Sequence, residues 1–226
     1  MGTLSLSKTG RLFWLGRYTE RVYTVLRLTR PIREAEIDGQ EADYTEYCRC
    51  MGIPAGYADT ADFCRRYFFD AEDPASVAAS LGFAYDNAVV LRETLSSDTL
   101  AYIQLAINAM EKAARSTGPE MELQWVMDDV MAFRGSCEDT IDDEASRNII
   151  KAGASLERVD LYLRLGCGRE ACEKEFARLF NRLYKTQLRH DEEKLRLLAD
   201  VLLDKTLPDP GVWKLVAALE GVFPEV

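Results

Sequence analysis

The sequence predicts an all-α fold: a single-domain, multi-helix bundle with an internal pseudo-repeat of Glu-Arg helices. Three observations predict it. Apolar residues recur at helical spacing through nearly the whole chain. Nowhere is there convincing period-two alternation flanked by turn residues. And two long segments, residues 11–28 (RLFWLGRYTERVYTVLRL) and 148–165 (NIIKAGASLERVDLYLRL), share one pattern.

Taken in order, Leu12, Leu15, Val22 and Leu26 stripe a first helix. It should end near Pro31, which cannot continue the hydrogen-bond ladder. PIREAEIDGQEADY reads as a polar connection and DYTEYCRCMG as a short helix stopped by Gly52. After the loop GIPAGYADT, TADFCRRYFFD is another short helix. Asp73-Pro74 reads as a helix start, an N-cap oxygen followed by proline, for a helix running to about Leu95. SSDTLAYIQLAINAMEKAARST follows, capped by Ser97 or Asp98 and ended by Gly118-Pro119. PEMELQWVMDDVMAFRG is next, and the acidic SCEDTIDDEAS leads into the central segment 148–165. Beyond Gly166 and Gly168 come REACEKEFARLFNRLYKTQLR and DEEKLRLLADVLLD, then VWKLVAALEGVF after the break LPDPG. The sum is about nine or ten helices with short connections, as bundles have.

A chain of 226 residues, 47% hydrophobic and 29% charged, can bury the core of one domain, residues 1–226. No apolar run reaches the roughly 18 residues of a membrane helix; the best, VAASLGFAY, is broken by Ser80 and Gly82. The start, MGTLSLSKTG, has no basic region followed by an apolar core, and Leu6 stands where myristoylation wants Ser or Thr. These features predict a cytoplasmic protein that neither spans nor is anchored to a membrane. With 28 Lys and Arg against 38 Asp and Glu, the net charge of −10 argues against nucleic-acid binding. Cys48, Cys50, Cys64, Cys137, Cys167 and Cys172 show no CxxC spacing and read as reduced, packed thiols.

Aligning Glu20 with Glu157 also matches Gly16 with Gly153, Arg21 with Arg158, Val22 with Val159, Leu26 with Leu163, Arg27 with Arg164 and Leu28 with Leu165. A weaker third copy is LGFAYDNAVVLRE, with Gly82, Asp86, Asn87 and Arg92 or Glu93 in comparable places. At about 100° per residue, Gly16, Glu20 and Arg27 fall within roughly 40° on one face, and the glycine lets another helix approach beside the glutamate. The second copy is apolar nearly all round, so its helix is buried and Glu157 must be paired, hydrogen-bonded or protonated. Glu157 and Arg164 are roughly 10.5 Å apart along their own helix, so each charge should find its partner elsewhere. The expected arrangement faces the two copies about a local twofold. Glu20 would meet an arginine of the second copy, and Glu157 would meet Arg21 or Arg27.

These residues carry a likeness. LFWLGRYTERV, DPASVAASLGFAYDNAVVLRETLSSDTL and IIKAGASLERVDLYLRLG resemble the bacterial alpha-E family, an all-helical domain with a recurring Glu-Arg motif. The resemblance runs from Leu4 to Gly166, is most specific in the two Glu-Arg helices and residues 87–96, and makes the chain one alpha-E-like helical domain. It implies no established activity. It does imply association, by gene neighbourhood or fusion, with a circularly permuted ATP-grasp protein and a transglutaminase-like peptidase, hence peptide ligation or modification. The motif residues carried over are Glu20, Arg21, Glu157 and Arg158, with Asp86 and Asn87 as the weaker pair. Tyr23 stands where an acidic residue often follows the Glu-Arg pair; Asp160 keeps that place in the second copy.

Two readings of the motifs stay open: a ligand or catalytic site built from glutamates and arginines, or an ion-pair network fixing helix register. A single histidine allows no Glu-x-x-His pair, which excludes di-iron and histidine zinc sites, and that histidine, His190, reads as a solvated helix-end residue. Asp139, Asp142 and Asp143 would sit at i, i+3, i+4 if helical, with Asp128-Asp129 earlier. That spacing suits magnesium, but acids at a helix start explain it more simply. Phe13, Trp14, Tyr18, Tyr67 and Phe68 read as core. No glycine-rich phosphate loop is present, so no nucleotide site is assigned; no cofactor and no metal is expected. The leading function is a non-catalytic accessory protein with a protein partner of ATP-grasp or transglutaminase-like type, self-association being left open. The alternative is an enzyme of peptide or amide chemistry using the Glu and Arg side chains.

Overall fold

A computed structural model describes residues 6–40, 42–186 and 188–224. The expectations drawn from the first five residues lie outside these. Eleven α-helices and no strand occur among the described residues: α1 (Leu6–Leu28), α2 (Arg30–Ile37), α3 (Tyr44–Met51), α4 (Thr60–Phe69), α5 (Val77–Val90), α6 (Ser97–Ala113), α7 (Glu120–Thr140), α8 (Glu144–Arg164), α9 (Arg169–Leu183), α10 (Glu192–Leu202) and α11 (Val212–Glu220). The all-helical class is as expected. Among the described residues no helix is long and apolar enough to cross a membrane.

One capping device starts six of the helices. Asp43, Ser76, Ser96, Asp59, Asp143 and Asp191 each accept, through a side-chain oxygen, the backbone N–H three residues on. Each such cap stabilises its helix, because it satisfies a donor the helix itself cannot. Several boundaries differ from those expected. Pro31 opens α2 rather than only closing α1, since a first-turn N–H needs no intrahelical partner. Asp73-Pro74 forms a turn, and α5 starts three residues later on the Ser76 cap. The cap of α6 is Ser96, not Ser97 or Asp98. Gly135 does not end α7, which runs on to Thr140. α9 stops at Leu183, short of the expected stretch.

The helices cluster into two compact units, one made of the chain up to Glu20 with the chain from Asp143 onward, the other of Arg21–Asp142. The last residues of α1 therefore belong to the second unit.

In the second unit, Phe63, Tyr67 and Phe68 are buried, and the Tyr47 and Tyr67 hydroxyls hydrogen-bond at 2.9 Å. Arg33 of α2 is also buried. It donates to the Leu26 carbonyl, to the Thr29 hydroxyl and, through two nitrogens, to Glu120 at 2.7 and 3.2 Å. α6 and α7 lie antiparallel. Lys112 meets Glu122 at one end, while the Thr99 hydroxyl meets those of Ser136 and Thr140 at the other.

In the first unit, α8 buries residues on every side, from Ile149 and Ile150 through Glu157 to Leu163. It packs against α9 and α11. Phe13 of α1 is buried and lies 5.0 Å from the Phe223 ring. The aromatic residues expected in the core divide: Phe13, Tyr67 and Phe68 are buried, Trp14 and Tyr18 half-buried.

Candidate functional site

The site begins with two glycines. A Cβ added to Gly16 would sit 2.0 Å from the Ile150 carbonyl oxygen, and one on Gly153 would sit 2.1 Å from that of Phe13. The crossing reads the same from either helix. Each glycine faces the carbonyl three residues before the other, and the next backbone nitrogens, Ala154 at 3.1 Å and Arg17 at 3.3 Å, are the residues just after each. Only hydrogen side chains allow α1 and α8 to approach this closely.

One turn beyond each glycine stands a glutamate, Glu20 and Glu157, and both side chains have 0% exposure. Arg158 grips Glu20 with a two-pronged fork, Nε to Oε1 at 2.8 Å and Nη2 to Oε2 at 2.6 Å. This is the strong, planar form of the charge-assisted hydrogen bond. Arg17 donates its Nε to Glu157 Oε2 at 2.7 Å and lies 4.6 Å over the Trp14 ring. The sequence reading puts Arg21 or Arg27 opposite Glu157; Arg17, one turn before Arg21 and on nearly the same face, is at that distance. Glu20 does meet an arginine of the second copy, as expected.

The network extends into α9, to which no motif of the chain points. Arg158 Nη1 is 3.2 Å from Glu175 Oε2, outside hydrogen-bond geometry, and Arg178 donates to Glu175 Oε1 at 2.5 Å. Burial works against the Arg158 charge, but the hydrogen bonds and charges of Glu20, with Glu175 adding, outweigh it and hold the guanidinium above its ordinary pKa.

Asp160 and Arg164 form a second cluster on α8. Arg164 Nε donates to both Asp160 oxygens at 3.0 Å and its Nη2 to Glu220 Oε1 of α11 at 2.6 Å, with the guanidinium 5.7 Å over Trp213. Arg164 thus finds one partner on its own helix, where only partners elsewhere were expected, because Asp160 is one turn away rather than two. Burial raises the Asp160 carboxyl above its ordinary pKa, the Glu157 charge adds to this, and Arg164 and Arg17 partly oppose it.

The remaining candidates lie in the second unit or at helix junctions. Arg21 is close enough to Tyr47 and Tyr67 to bear on their phenols, and Arg27 lies 5.9 Å over Tyr23. On α5, Asp86 is exposed and the Asn87 amide donates to the Phe83 carbonyl. Gly82 has open space around its Cβ direction, so this third copy lacks the close approach of the other two. Asp139, Asp142 and Asp143 do not share a helix: the first is in the last turn of α7, the second lies between helices, the third caps α8. Among the described residues no group of three or more His, Cys, Asp and Glu is placed to hold a metal ion. His190 is half-buried, its Nδ1 3.0 Å from the Leu188 carbonyl oxygen. The cysteines form no disulfide, and burial pushes the thiols of Cys48 and Cys172 up to about 11 and that of Cys64 up to about 12.

A family model described as a predicted alpha-helical domain with a conserved ER motif matches residues 6–167. No match to the chain was found among the curated proteins or among solved structures.

Proposed function

From a chain that belongs to the alpha-E family, we infer a helical accessory module in which the Glu-Arg motif is architecture and not an active site. It works beside a protein partner, an ATP-grasp-type ligase or a transglutaminase-like peptidase, in peptide synthesis or modification. The reading treats the chain as one working domain and puts it in the cytoplasm.

The observation that carries it is the enclosure of Glu20 and Glu157, each at 0% exposure and each already engaged by a guanidinium. A carboxylate acting as general acid or base must come within about 3 Å of a substrate proton. These two are instead committed to holding α1 and α8 in register where their backbones touch. The rival reading, peptide or amide chemistry at these side chains, draws support from the displaced Asp160 carboxyl, but Arg164 already takes both its oxygens.

Urea unfolding of Glu157→Gln beside the parent tests the architectural half. A loss of about 3 kcal/mol or more is expected, as for other broken buried pairs. Unchanged or increased stability would mean that the charge is kept for function, and would overturn the reading. Co-expression with the two partner types tests the other half: stoichiometric co-purification with one of them is expected, and recovery of the chain alone from both would remove the partner claim.

A further inference from the structure

We propose that a groove between α6 and α7 docks a basic amphipathic segment of a protein partner, Leu105 and Trp125 taking its apolar side and Asp128 and Asp129 an arginine or lysine. The proposal rests on the accessory-module reading for the existence of a partner, and adds where and by what chemistry it is held.

The groove has a volume of about 390 Å³ and is lined by Leu105, Asn108, Ala109 and Lys112 of α6 and by Trp125, Asp128 and Asp129 of α7. The α6 residues follow i, i+3, i+4, i+7, and the α7 residues i, i+3, i+4, so each helix offers one continuous face. Two antiparallel helices with such faces form the kind of trough into which an amphipathic helix lays its apolar side. The apolar lining is accessible: Leu105 is 48% and Trp125 40% exposed, and Met121, one turn before Trp125, is 64% exposed.

Charge selects the occupant. The groove lining carries two acids, Asp128 and Asp129, against one cation, Lys112, whose ammonium lies 3.9 Å from Glu122 and 4.3 Å over the Trp125 ring. Lys112 thereby shows that this indole face accepts a cation. Asp128 accepts from Gln124 at 2.8 Å, whereas Asp129 has no hydrogen bond or ion pair among the described residues. Burial, with the neighbouring Asp128 charge adding, holds the Asp129 carboxyl above its ordinary pKa. A half-buried carboxylate in that position gains most from a cation delivered on an apolar stem, which is what an arginine or lysine is. An acidic or purely apolar segment would leave it uncompensated.

The test uses the full chain and a dye-labelled synthetic helix of leucine and arginine, followed by fluorescence anisotropy. Asp129→Asn and Trp125→Ala should each weaken binding about tenfold or more. Glu93→Gln, which removes the same charge from an exposed site outside the groove, should change it less than about twofold. Circular dichroism confirms that each variant is folded. No binding, equal binding of the glutamate-for-arginine peptide, or equal weakening by all three variants would overturn the proposal. So would a dimer of this chain that Trp125→Ala dissociates, since a second copy would then fill the groove. A co-purifying partner whose association is untouched by the groove variants sinks the groove and leaves the accessory reading. Groove-dependent peptide binding with no co-purifying partner does the reverse.

Discussion

The helical glycines at the crossing of α1 and α8 differ from those inside α5 and α7 of the second unit. In the first unit, Gly16 and Gly153 meet backbone atoms about where a side chain would begin. In the second, Gly82 of α5 and Gly135 of α7 have nothing within 4 Å. The buried charge pairs are inverted as well. At the crossing the deep member is the acid, Glu20 at 0% against Arg158 at 22%. In the second unit it is the base, Arg33 at 4% against Glu120 at 31%. A glycine in a helix is a cost of roughly 0.5–1 kcal/mol relative to alanine unless its missing side chain permits something. At Gly16 and Gly153 it permits helix contact that places two acids against two arginines. In the second unit nothing comparable offsets the cost.

The largest effect is expected from Gly153→Ala. The new methyl meets a main-chain carbonyl rather than a flexible side chain, so the helices must part. We expect a loss of about 4 kcal/mol or more, or no folded protein, in urea melts followed by circular dichroism. A loss under about 1 kcal/mol would mean the crossing is loose and would break the contrast. Next comes the inversion of the pairs. Arg158→Met removes both hydrogen bonds of the fork from a fully enclosed carboxylate and should cost about 3–5 kcal/mol. Glu120→Gln should cost only about 1 kcal/mol, because Arg33 keeps the Leu26 carbonyl and the Thr29 hydroxyl. Equal losses would show that depth of the acid is not what matters. Gly82→Ala should raise stability by about 0.5–1 kcal/mol; a loss there would reveal a constraint like that at Gly153.

The finest test is pH. The folded pKa of Asp160 is raised, so its contribution to stability is present below the unfolded carboxyl value and is lost as pH rises through the folded one. Asp160→Asn should therefore gain on the parent as pH climbs from about 4, measured as the difference between their urea midpoints. A difference that is flat or falls with pH would mean that Arg164 outweighs the burial.

Much of the first unit was legible because its pattern is doubled. Matching Gly-x-x-x-Glu-Arg in two helices pointed to close approach and to Glu20 meeting an arginine of the other copy, and Arg158 is that arginine. Arg17 was within reach of the same reasoning, lying on α1 about 40° around from Arg21. Glu175 and Glu220 were not: Glu175 is one of three acids of α9 and nothing in the local pattern says which turns inward, while Glu220, the one acid of α11, reaches Arg164 only through the packing of α11 on α8. α2 was hidden because proline both ends one helix and starts the next. The groove between α6 and α7 was hidden for a different reason. Asp128 and Asp129 stood out as a pair, with Trp125 one turn before them on α7, but Leu105 of α6 comes to them only through the antiparallel return of the chain.

The first unit is drawn from both ends of the sequence, and this sets an order of events at the ribosome. Arg158 is synthesised 138 residues after Glu20. At about 5–20 residues per second, that is an interval of roughly 7 to 28 s. All of Arg21–Asp142 is made within it, so the second unit can be complete before the crossing has a second helix. Through that interval Glu20 must remain hydrated, on a helix whose other apolar residues are already seeking cover. The crossing of α1 and α8 cannot close until both of its helices have been made.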